Sequence, residues 1–155
     1  MPQRLTTQFH WFNHGYRDFQ DFLARFNSRK RKNLRRERDQ ITRQGLTLET
    51  KKGDKITPEN WQFFHRCYQT TYAKRSGHGG YLTESFFTET CPALGETPVM
   101  VLASRAGEAV AAALFFEGRD TLYGRYWGCL AEFDYLHFEA CYHQGIEFCI
   151  EQRLD

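Results

Sequence analysis

The sequence predicts an α/β fold, of the α+β type, in which helices flank an antiparallel meander of three strands. Three apolar runs between residues 98 and 129 are separated by short glycine turns, which join neighbouring antiparallel strands. Residues 17–44 lack Pro and Gly and repeat apolar side chains at helical spacing. Residues 134–154 follow the meander with a second helical pattern. A chain of 155 residues fits one domain, and we assign residues 1–155 to it.

The N-terminal third is predicted to contain one short strand and one or two helices. Residues 7–13, "TQFHWFN", alternate aromatic and polar side chains and indicate a strand. From residue 17 to residue 44, apolar residues recur largely at steps of three, four and seven, and Gly45 is a natural helix end. Asn27 and Ser28 could cap a second helix, so this segment is either one helix or two helices that meet there.

A strand and a long helix are predicted next. Residues 46–50, "LTLET", alternate and indicate a strand. In residues 56–75, Thr57 is a typical N-cap, and Pro58 suits the first helical turn, where its missing N–H is not needed. The apolar face of this helix consists of Trp61, Phe64, Cys67, Tyr68 and Tyr72.

A loop and a short helix lead from this helix to the meander. Residues 76–80, "SGHGG", are predicted to form the loop, and Thr83 is predicted to cap a helix that runs through Phe87. The middle strand of the meander is apolar at nearly every position, so both of its faces should be covered. The three predicted strands are residues 98–105, 109–117 and 121–129.

The last predicted helix, residues 134–154, has two different sides. A helix that follows a sheet normally packs on it and leads into another strand. The sequence reaches Asp155 where this helix ends, so we expect the domain to lack its next strand. One side carries Phe138, Cys141, Tyr142, Gly145 and Cys149, and the other carries His143, Glu147 and Glu151.

Several long motifs resemble a known bacterial family. They are "QFHWFNHGYRDFQDFLARFNSRKRKNLRRER" at 8–38, "YLTESFF" at 81–87, "TLYGRYWGCL" at 121–130 and "YLHFEACYHQGIEF" at 135–148. In this order they are similar to the predicted N-acyltransferases of peptidoglycan biosynthesis/recognition, which are related to the Fem-type aminoacyl ligases. The resemblance spans nearly all of the chain.

The resemblance implies the GNAT fold, that of the general N-acetyltransferase superfamily, with a mixed sheet. It also implies transfer of an acyl or aminoacyl group to an amine, in peptidoglycan metabolism. The family proteins are longer, so the domain is expected to be incomplete at both ends and could be inactive as this fragment. The implied acceptor is a small molecule or a cell-wall precursor.

The acyl donor is left open between an acyl-CoA and an aminoacyl-tRNA. GNAT enzymes cradle the CoA pyrophosphate with a glycine-containing loop that follows the third meander strand. Here that connection reads "CLAEFDYLHFE" and contains no glycine. Backbone N–H groups at a helix start bind phosphate well where glycine allows close approach, and the two acids of "AEFD" within this connection repel phosphate. Fem-type ligases take an aminoacyl group from tRNA, so tRNA is a possible partner.

The basic segment "NSRKRKNLRRERDQI", residues 27–41, contains seven Lys or Arg and two acids. Residues 1–44 carry a net charge of +7, whereas the remainder carries −5. Three interpretations are open: a solvated helix face that pairs with the acidic remainder, a phosphate-binding surface, or a dedicated nucleic-acid module. Apolar Leu34 and Ile41 favour a helix that docks on the domain. The phosphate-binding hypothesis rests on Arg29, Lys30, Lys32, Arg35 and Arg36.

The third meander strand offers candidate substrate-binding residues. Alternation along a strand predicts that Tyr123, Arg125 and Trp127 share one face. An Arg between two aromatic rings suits a cation–π contact, or a fork that holds a carboxylate or phosphate. The alternative is a structural Arg that is buried under the ring faces.

The start of the last helix offers candidate catalytic residues. Acyl transfer to an amine needs a base that takes the amine proton, and His137 or a buried Glu139 could serve. The alternative is an ordinary polar helix surface. Cys141 lies one turn from His137, but no third group or oxyanion hole accompanies the pair, so a thiol enzyme is not predicted.

Other classes of function are excluded by composition. The sequence contains no run of about 18 apolar residues, so no membrane span is predicted, and "MPQRLTTQFHWFN" at the N-terminus lacks the apolar core of a secretion signal. Five cysteines without C-x-x-C pairs indicate free thiols and a cytoplasmic protein, and the His and Cys residues are too sparse for a metal site. The rival to an enzyme is a non-catalytic module that binds a cell-wall precursor or an anionic polymer. The oligomeric state is not indicated.

Overall fold

The computed structural model describes residues 7–155 and confirms the predicted α/β fold with its antiparallel meander. The strands are β1 (Leu46–Lys52), β2 (Pro98–Arg105), β3 (Glu108–Glu117) and β4 (Leu122–Cys129). The helices are α1 (Phe19–Ala24), α2 (Ser28–Arg43), α3 (Pro58–Ser76), α4 (Leu136–Phe138) and α5 (Gln144–Gln152). Single π-helical turns span Phe86–Thr90 and Glu139–His143, and 3₁₀ turns span Gly53–Lys55 and Pro92–Leu94.

The strand predicted at residues 7–13 is wrong, because this segment has no regular structure. Phe9 is 94% exposed, so the alternation does not mark a buried sheet face. The ring of Trp11 instead lies 5.9 Å from the rings of Tyr16 and Phe22. Of the phenylalanine and tryptophan residues here, Trp11 contacts α1 through Phe22, whereas Phe9 and Phe12 are exposed.

The two-helix alternative for residues 17–44 is confirmed. The Asn27 side-chain oxygen accepts from the Lys30 N–H at 2.9 Å and caps α2. The chain leaves α2 through Gly45, whose φ of +74° favours glycine. Ile41 is buried, so α2 is a docked helix, as predicted.

The four strands form one sheet in the order β1-β2-β3-β4, with antiparallel neighbours throughout. In β3, the residues from Ala111 to Phe115 are buried on both faces, as the apolar run predicted. Beside β4, the Asp155 N–H donates to the Asp120 carbonyl, and the Asp155 carbonyl accepts from the Leu122 N–H, both at 2.8 Å. This pair of bonds has the pattern of parallel pairing, which adds a parallel contact at the outer edge of β4.

Helices cover the two faces of the sheet. Helix α3 packs on one face, and the predicted cap at Thr57 is confirmed by a capping box with Asn60. Helices α4 and α5 and the turn between them cover the other face. The first core includes Trp61, Phe64, Cys67, Met100 and Leu114, and the second includes Val99, Val101, Ala113, Phe115 and Ala140.

A β-bulge interrupts β4. The residues that face β3 in register are Trp127, Tyr126 and then Gly124, so Arg125 is the extra residue. The bulge shifts the alternation by one position. Trp127 packs toward the C-terminal helices, whereas Tyr123 pairs with a residue of the α3 side. The prediction that Tyr123, Arg125 and Trp127 share one face is therefore wrong.

The C-terminal helical segment contains a π-helical turn at Glu139–His143. A π turn holds more residues than an α turn, so the side that meets the sheet changes along the segment. Gly145 and Cys149 are buried, as expected for the apolar side of the predicted helix. Contrary to the predicted sides, His143 is buried and Phe138 is 56% exposed.

Candidate functional site

A cleft runs along the outer edge of β4, between the end of α3 and helix α4. It consists of three adjoining cavities of about 360, 360 and 210 Å³ that share Trp127 and His137. Between residues 123 and 129, no backbone group of β4 bonds to main chain outside β3 within the described part of the chain. We call this site the β4-edge cleft; its principal lining residues are Tyr72, Arg75, Arg125, Tyr126, Trp127 and His137.

His137 is positioned by aromatic contacts at the centre of this cleft. Its ring lies 5.3 Å from the Trp127 ring and 5.9 Å from the Tyr142 ring, edge to face in both cases. Partial burial of the imidazole and the nearby charge of Arg75 lower the pKa of His137. The imidazole is therefore neutral at neutral pH and can accept a proton.

Arg125 projects from the bulge and is exposed. Its Cζ lies 5.3 Å from the centre of the Tyr126 ring, so the predicted cation–π contact exists, but with the adjacent residue. The guanidinium lines two of the three cavities and is open to a ligand.

The cleft brings together three of the residues proposed from the sequence and leaves two out. Arg125, Trp127 and His137 converge there, whereas Tyr123 and Glu139 do not line it. Arg75 also borders the cleft and was missed. It lies in the last turn of α3, where a basic residue is expected on helix-dipole grounds alone, so no local signal distinguishes it.

Glu139 lies at the centre of a buried polar network. The Arg38 guanidinium donates to both of its carboxylate oxygens, at 2.7 to 3.2 Å, and also to Glu147 at 2.8 and 2.9 Å. Gln144 donates to Glu139 at 2.8 Å, and His143 Nδ1 lies 3.1 Å from the same carboxylate. This network joins α2 to the C-terminal helical segment.

The Glu139 carboxylate remains ionised. Burial alone raises its pKa, but hydrogen bonds from His143, Arg38 and Gln144, together with the charge of Arg38, outweigh burial and lower the pKa to about 2. A carboxylate with so low a pKa is a poor proton acceptor at neutral pH. Its geometry suits holding His143 and Arg38 in place.

Comparison with known proteins identifies the family. The model of the FemAB-like family, described as peptidoglycan biosynthesis/recognition, matches residues 1–155. The chain belongs to the FemAB-like family. This confirms the resemblance found in the sequence motifs.

Similarity to individual proteins is weaker than the match to the family model. No curated protein matches its sequence. Seven chains of solved structures match, among them a possible acetyltransferase from Clostridium difficile 630. That chain is 11% identical, with a TM-score of 0.45, over 68% of this chain and 70% of its own.

The basic residues proposed for phosphate are divided in this FemAB-like protein. Arg29 and Lys30 border a groove of about 540 Å³ between α2 and residues 135–143. Lys32 and Arg36 are exposed and lie outside it, and Arg35 donates to Gln20 Oε1 at 2.7 Å. We call this site the α2 groove; its principal lining residues are Arg29, Lys30, Asn33, Tyr135, Phe138 and His143.

One residue of the basic segment forms ion pairs with acids from the remainder of the chain. Arg38 bonds to Glu139 and Glu147, as the first interpretation of the segment expects. Within residues 7–155, the structure shows no ion pair for Arg29, Lys30, Lys32, Arg35 or Arg36. Arg35 nevertheless donates to Gln20, and the Lys30 ammonium lies 5.0 Å from the centre of the Phe26 ring, so these two side chains already have a contact within the protein.

The cysteine thiols are poorly suited to nucleophilic chemistry. Burial raises the pKa of Cys67 and Cys141 to about 12 and that of Cys91 and Cys149 to about 11. A thiol with so high a pKa has little thiolate at neutral pH. Among the described residues, no three His, Cys, Asp or Glu side chains cluster closely enough to hold a metal ion, and no helix is long and apolar enough to cross a membrane.

Proposed function

We propose that this FemAB-like protein is an N-acyltransferase that uses the β4-edge cleft to transfer an acyl or aminoacyl group to an amine of a cell-wall precursor. The observation that carries the proposal is the position of neutral His137 beside the open edge of β4. An acyl transferase needs hydrogen-bond donors for the carbonyl oxygen and a base for the amine proton. The cleft offers both kinds of group side by side.

In the proposed reaction, the acceptor amine attacks the acyl carbonyl directly. Backbone N–H groups at the outer edge of β4 polarise the carbonyl and stabilise the negative oxygen that forms. His137 removes the proton that the amine must lose, and Trp127 holds the imidazole in place. The bond from the carbonyl carbon to the donor sulfur or oxygen then breaks, and the proton held by His137 passes to that atom, so the donor leaves as a free thiol or tRNA hydroxyl.

Two arginines of the cleft are proposed to position the substrates. Arg75 and Arg125 present guanidinium groups to its open side, where they can hold a carboxylate or phosphate. A donor with either CoA or tRNA carries phosphate groups. Glu132, one of the acids of the connection after β4, pairs with Lys74 at 2.9 Å, which reduces its repulsion of such a donor. Both donors are cytoplasmic molecules, so we place the reaction in the cytoplasm.

The test is an assay of product formation with each donor. Purified protein is incubated with a muramyl peptide that contains a free amine and with acetyl-CoA or an aminoacyl-tRNA, and the products are analysed by mass spectrometry. His137→Gln should lower kcat by about a hundredfold or more, the usual loss of a general base. His14→Gln is the matched control, because His14 is exposed and lies outside the cleft.

The rival function has a distinct outcome in the same experiment. A non-catalytic module would be stabilised against heat by the muramyl peptide but would form no product with either donor. That result, or equal activity of the His137→Gln variant and the wild type, would overturn the proposal.

A further inference from the structure

The α2 groove is lined by a buried histidine, and one of its two ring nitrogens has no hydrogen-bond partner among residues 7–155. His143 is 9% exposed and lines the groove. Its Nδ1 lies 3.1 Å from the Glu139 carboxylate. Because that carboxylate is ionised and can only accept, Nδ1 must carry the proton and donate. Nε2 forms no hydrogen bond within residues 7–155 and is left for a ligand.

The orientation of His143 is set by the network behind it. Arg38 and Gln144 both donate to Glu139, so the carboxylate that receives Nδ1–H cannot easily rotate away. The ring of Phe19 lies 5.6 Å from the imidazole, edge to face, and restricts it from the other side. A carboxylate behind a histidine in this way fixes the tautomer and directs the second nitrogen outward.

On the α2 side the groove is lined by two cations and one acid, and on the side of residues 135–143 it is lined by aromatic rings and His143. Arg29 and Lys30 are exposed at the start of α2 and reach the groove, and Glu37 is an acid on the same wall. Phe138 is 56% exposed and presents a ring to the groove. A ligand that fits must combine a doubly charged anionic group with an organic part that has both a flat apolar surface and hydroxyl groups.

We propose that the α2 groove is a second binding site, separate from the β4-edge cleft, for a phosphate ester with a hydroxyl-bearing organic part. Arg29 and Lys30 hold the phosphate, whose charge of about −1.5 to −2 at neutral pH matches two cations. The organic part lies on Phe138, and one of its hydroxyl groups forms a hydrogen bond with His143 Nε2. Glu37 accepts from a further hydroxyl.

Binding is measured by isothermal titration calorimetry with three probes: N-acetylglucosamine 1-phosphate, inorganic phosphate and N-acetylglucosamine. The ester should bind most tightly, phosphate more weakly, and the sugar without phosphate weakest of all. Equal affinity for the ester and phosphate would mean that the groove holds an anion without its organic part, and would overturn the proposal.

Two double variants of α2 remove the same charge from different places. Arg29→Ala with Lys30→Ala should weaken ester binding about tenfold or more, since hydrogen bonds to charged groups are lost. Lys32→Ala with Arg36→Ala is the matched control and should change the affinity by less than about threefold. Equal losses in both variants would show that only the overall field of α2 attracts the anion, as a nucleic-acid-binding helix would, and would overturn the site.

The role of His143 is tested separately. His143→Gln should weaken the ester about threefold or more and leave inorganic phosphate unchanged. Because this variant could fail to fold, the wild-type ring is also followed by NMR. Saturating ester should shift the His143 ring signals and leave those of His14 in place, and unchanged His143 signals would contradict the proposal. All readouts are of binding, so they do not depend on whether the β4-edge cleft catalyses transfer.

Discussion

Arg38 and Glu139 lie 101 residues apart in the sequence, and their side chains are joined by three hydrogen bonds, the shortest of 2.7 Å. The same guanidinium lies 4.4 Å from the centre of the Phe19 ring and bonds to Glu147. Glu139 is 4% exposed. One side chain of the basic helix thus connects α1, α2 and the C-terminal helical segment.

Loss of Arg38 should strongly destabilise the fold. Arg38→Ala leaves the buried Glu139 carboxylate without its cationic partner, and breaking a buried ion pair from one side costs about 3–5 kcal/mol. The measurement is the free energy of unfolding from urea denaturation. Arg35→Ala is the control on the same helix, because Arg35 is exposed and, among residues 7–155, its side chain bonds to Gln20 alone; a loss of about 0.5 kcal/mol or less is expected. Similar values for both variants would show that the Glu139 network does not hold α2.

Glu139 should make the stability depend on pH in the acid range. Its folded-state pKa of about 2 lies below the ordinary value of 4.5, so the unfolded chain binds more protons between these values. The stabilisation is fully present above about pH 5 and is lost as the pH falls toward 2. Urea denaturation from pH 7 to pH 3 should therefore show a steeper decline for the wild type than for Glu139→Gln. Parallel curves for the two proteins would contradict this.

Gly128 and Gly124 should differ sharply in their tolerance of alanine, although both lie in β4. A Cβ at Gly128 would clash with the main chain of Cys67 in α3, whereas one at Gly124 would lie 3.6 Å from Phe115. Gly128→Ala should lower the stability by about 1–3 kcal/mol or more, because strand and helix must separate. Gly124→Ala should cost less than about 1 kcal/mol, and thermal unfolding compares them. Equal melting temperatures would show that α3 can move away from β4 at little cost.

Four of the thiols, three buried and that of Cys141 half-buried, should react slowly in the folded protein. Burial raises the pKa values of Cys67, Cys91, Cys141 and Cys149, so little thiolate is present at pH 8. Reaction with 5,5′-dithiobis(2-nitrobenzoic acid) should be slow in buffer and fast in 6 M guanidinium chloride. Rapid native reaction of any of these four thiols would indicate that its surroundings open readily.

Local signals in the sequence were sufficient for most of the fold. Thr57 with Pro58, Asn27 and Gly45 mark helix ends through interactions that span only a few residues, and each behaves as predicted. The meander strands could be predicted because short turns allow few other connections. Residues 7–13 were misread because their alternation of aromatic residues faces no sheet: Trp11 packs against Phe22 of α1, and Phe9 is exposed.

The candidate sites were predicted less well than the fold. The alternation rule failed at Arg125, because a bulge there depends on how β4 pairs with β3. The assignment of His143 to a polar side failed because its ring is covered by Phe19 and bonds to Glu139, contacts that depend on how α1 and α2 pack on this segment. Arg75 gave no signal at all, because its place in the cleft depends on how α3 crosses the edge of β4.

The sequence by itself determined the order of helices and strands, the antiparallel meander and the family, because caps, turns, periodicity and long motifs are all local in the chain. Only the tertiary structure decided which charged groups meet. Arg38 bonds to Glu139 across 101 positions of the sequence. Arg29 and Lys30 line the α2 groove, whereas Lys32 and Arg36 lie outside it. The α2 groove and the β4-edge cleft both form where elements distant in the sequence pack together. Ion pairs and cavities arise from packing between elements, and no spacing along the chain encodes them.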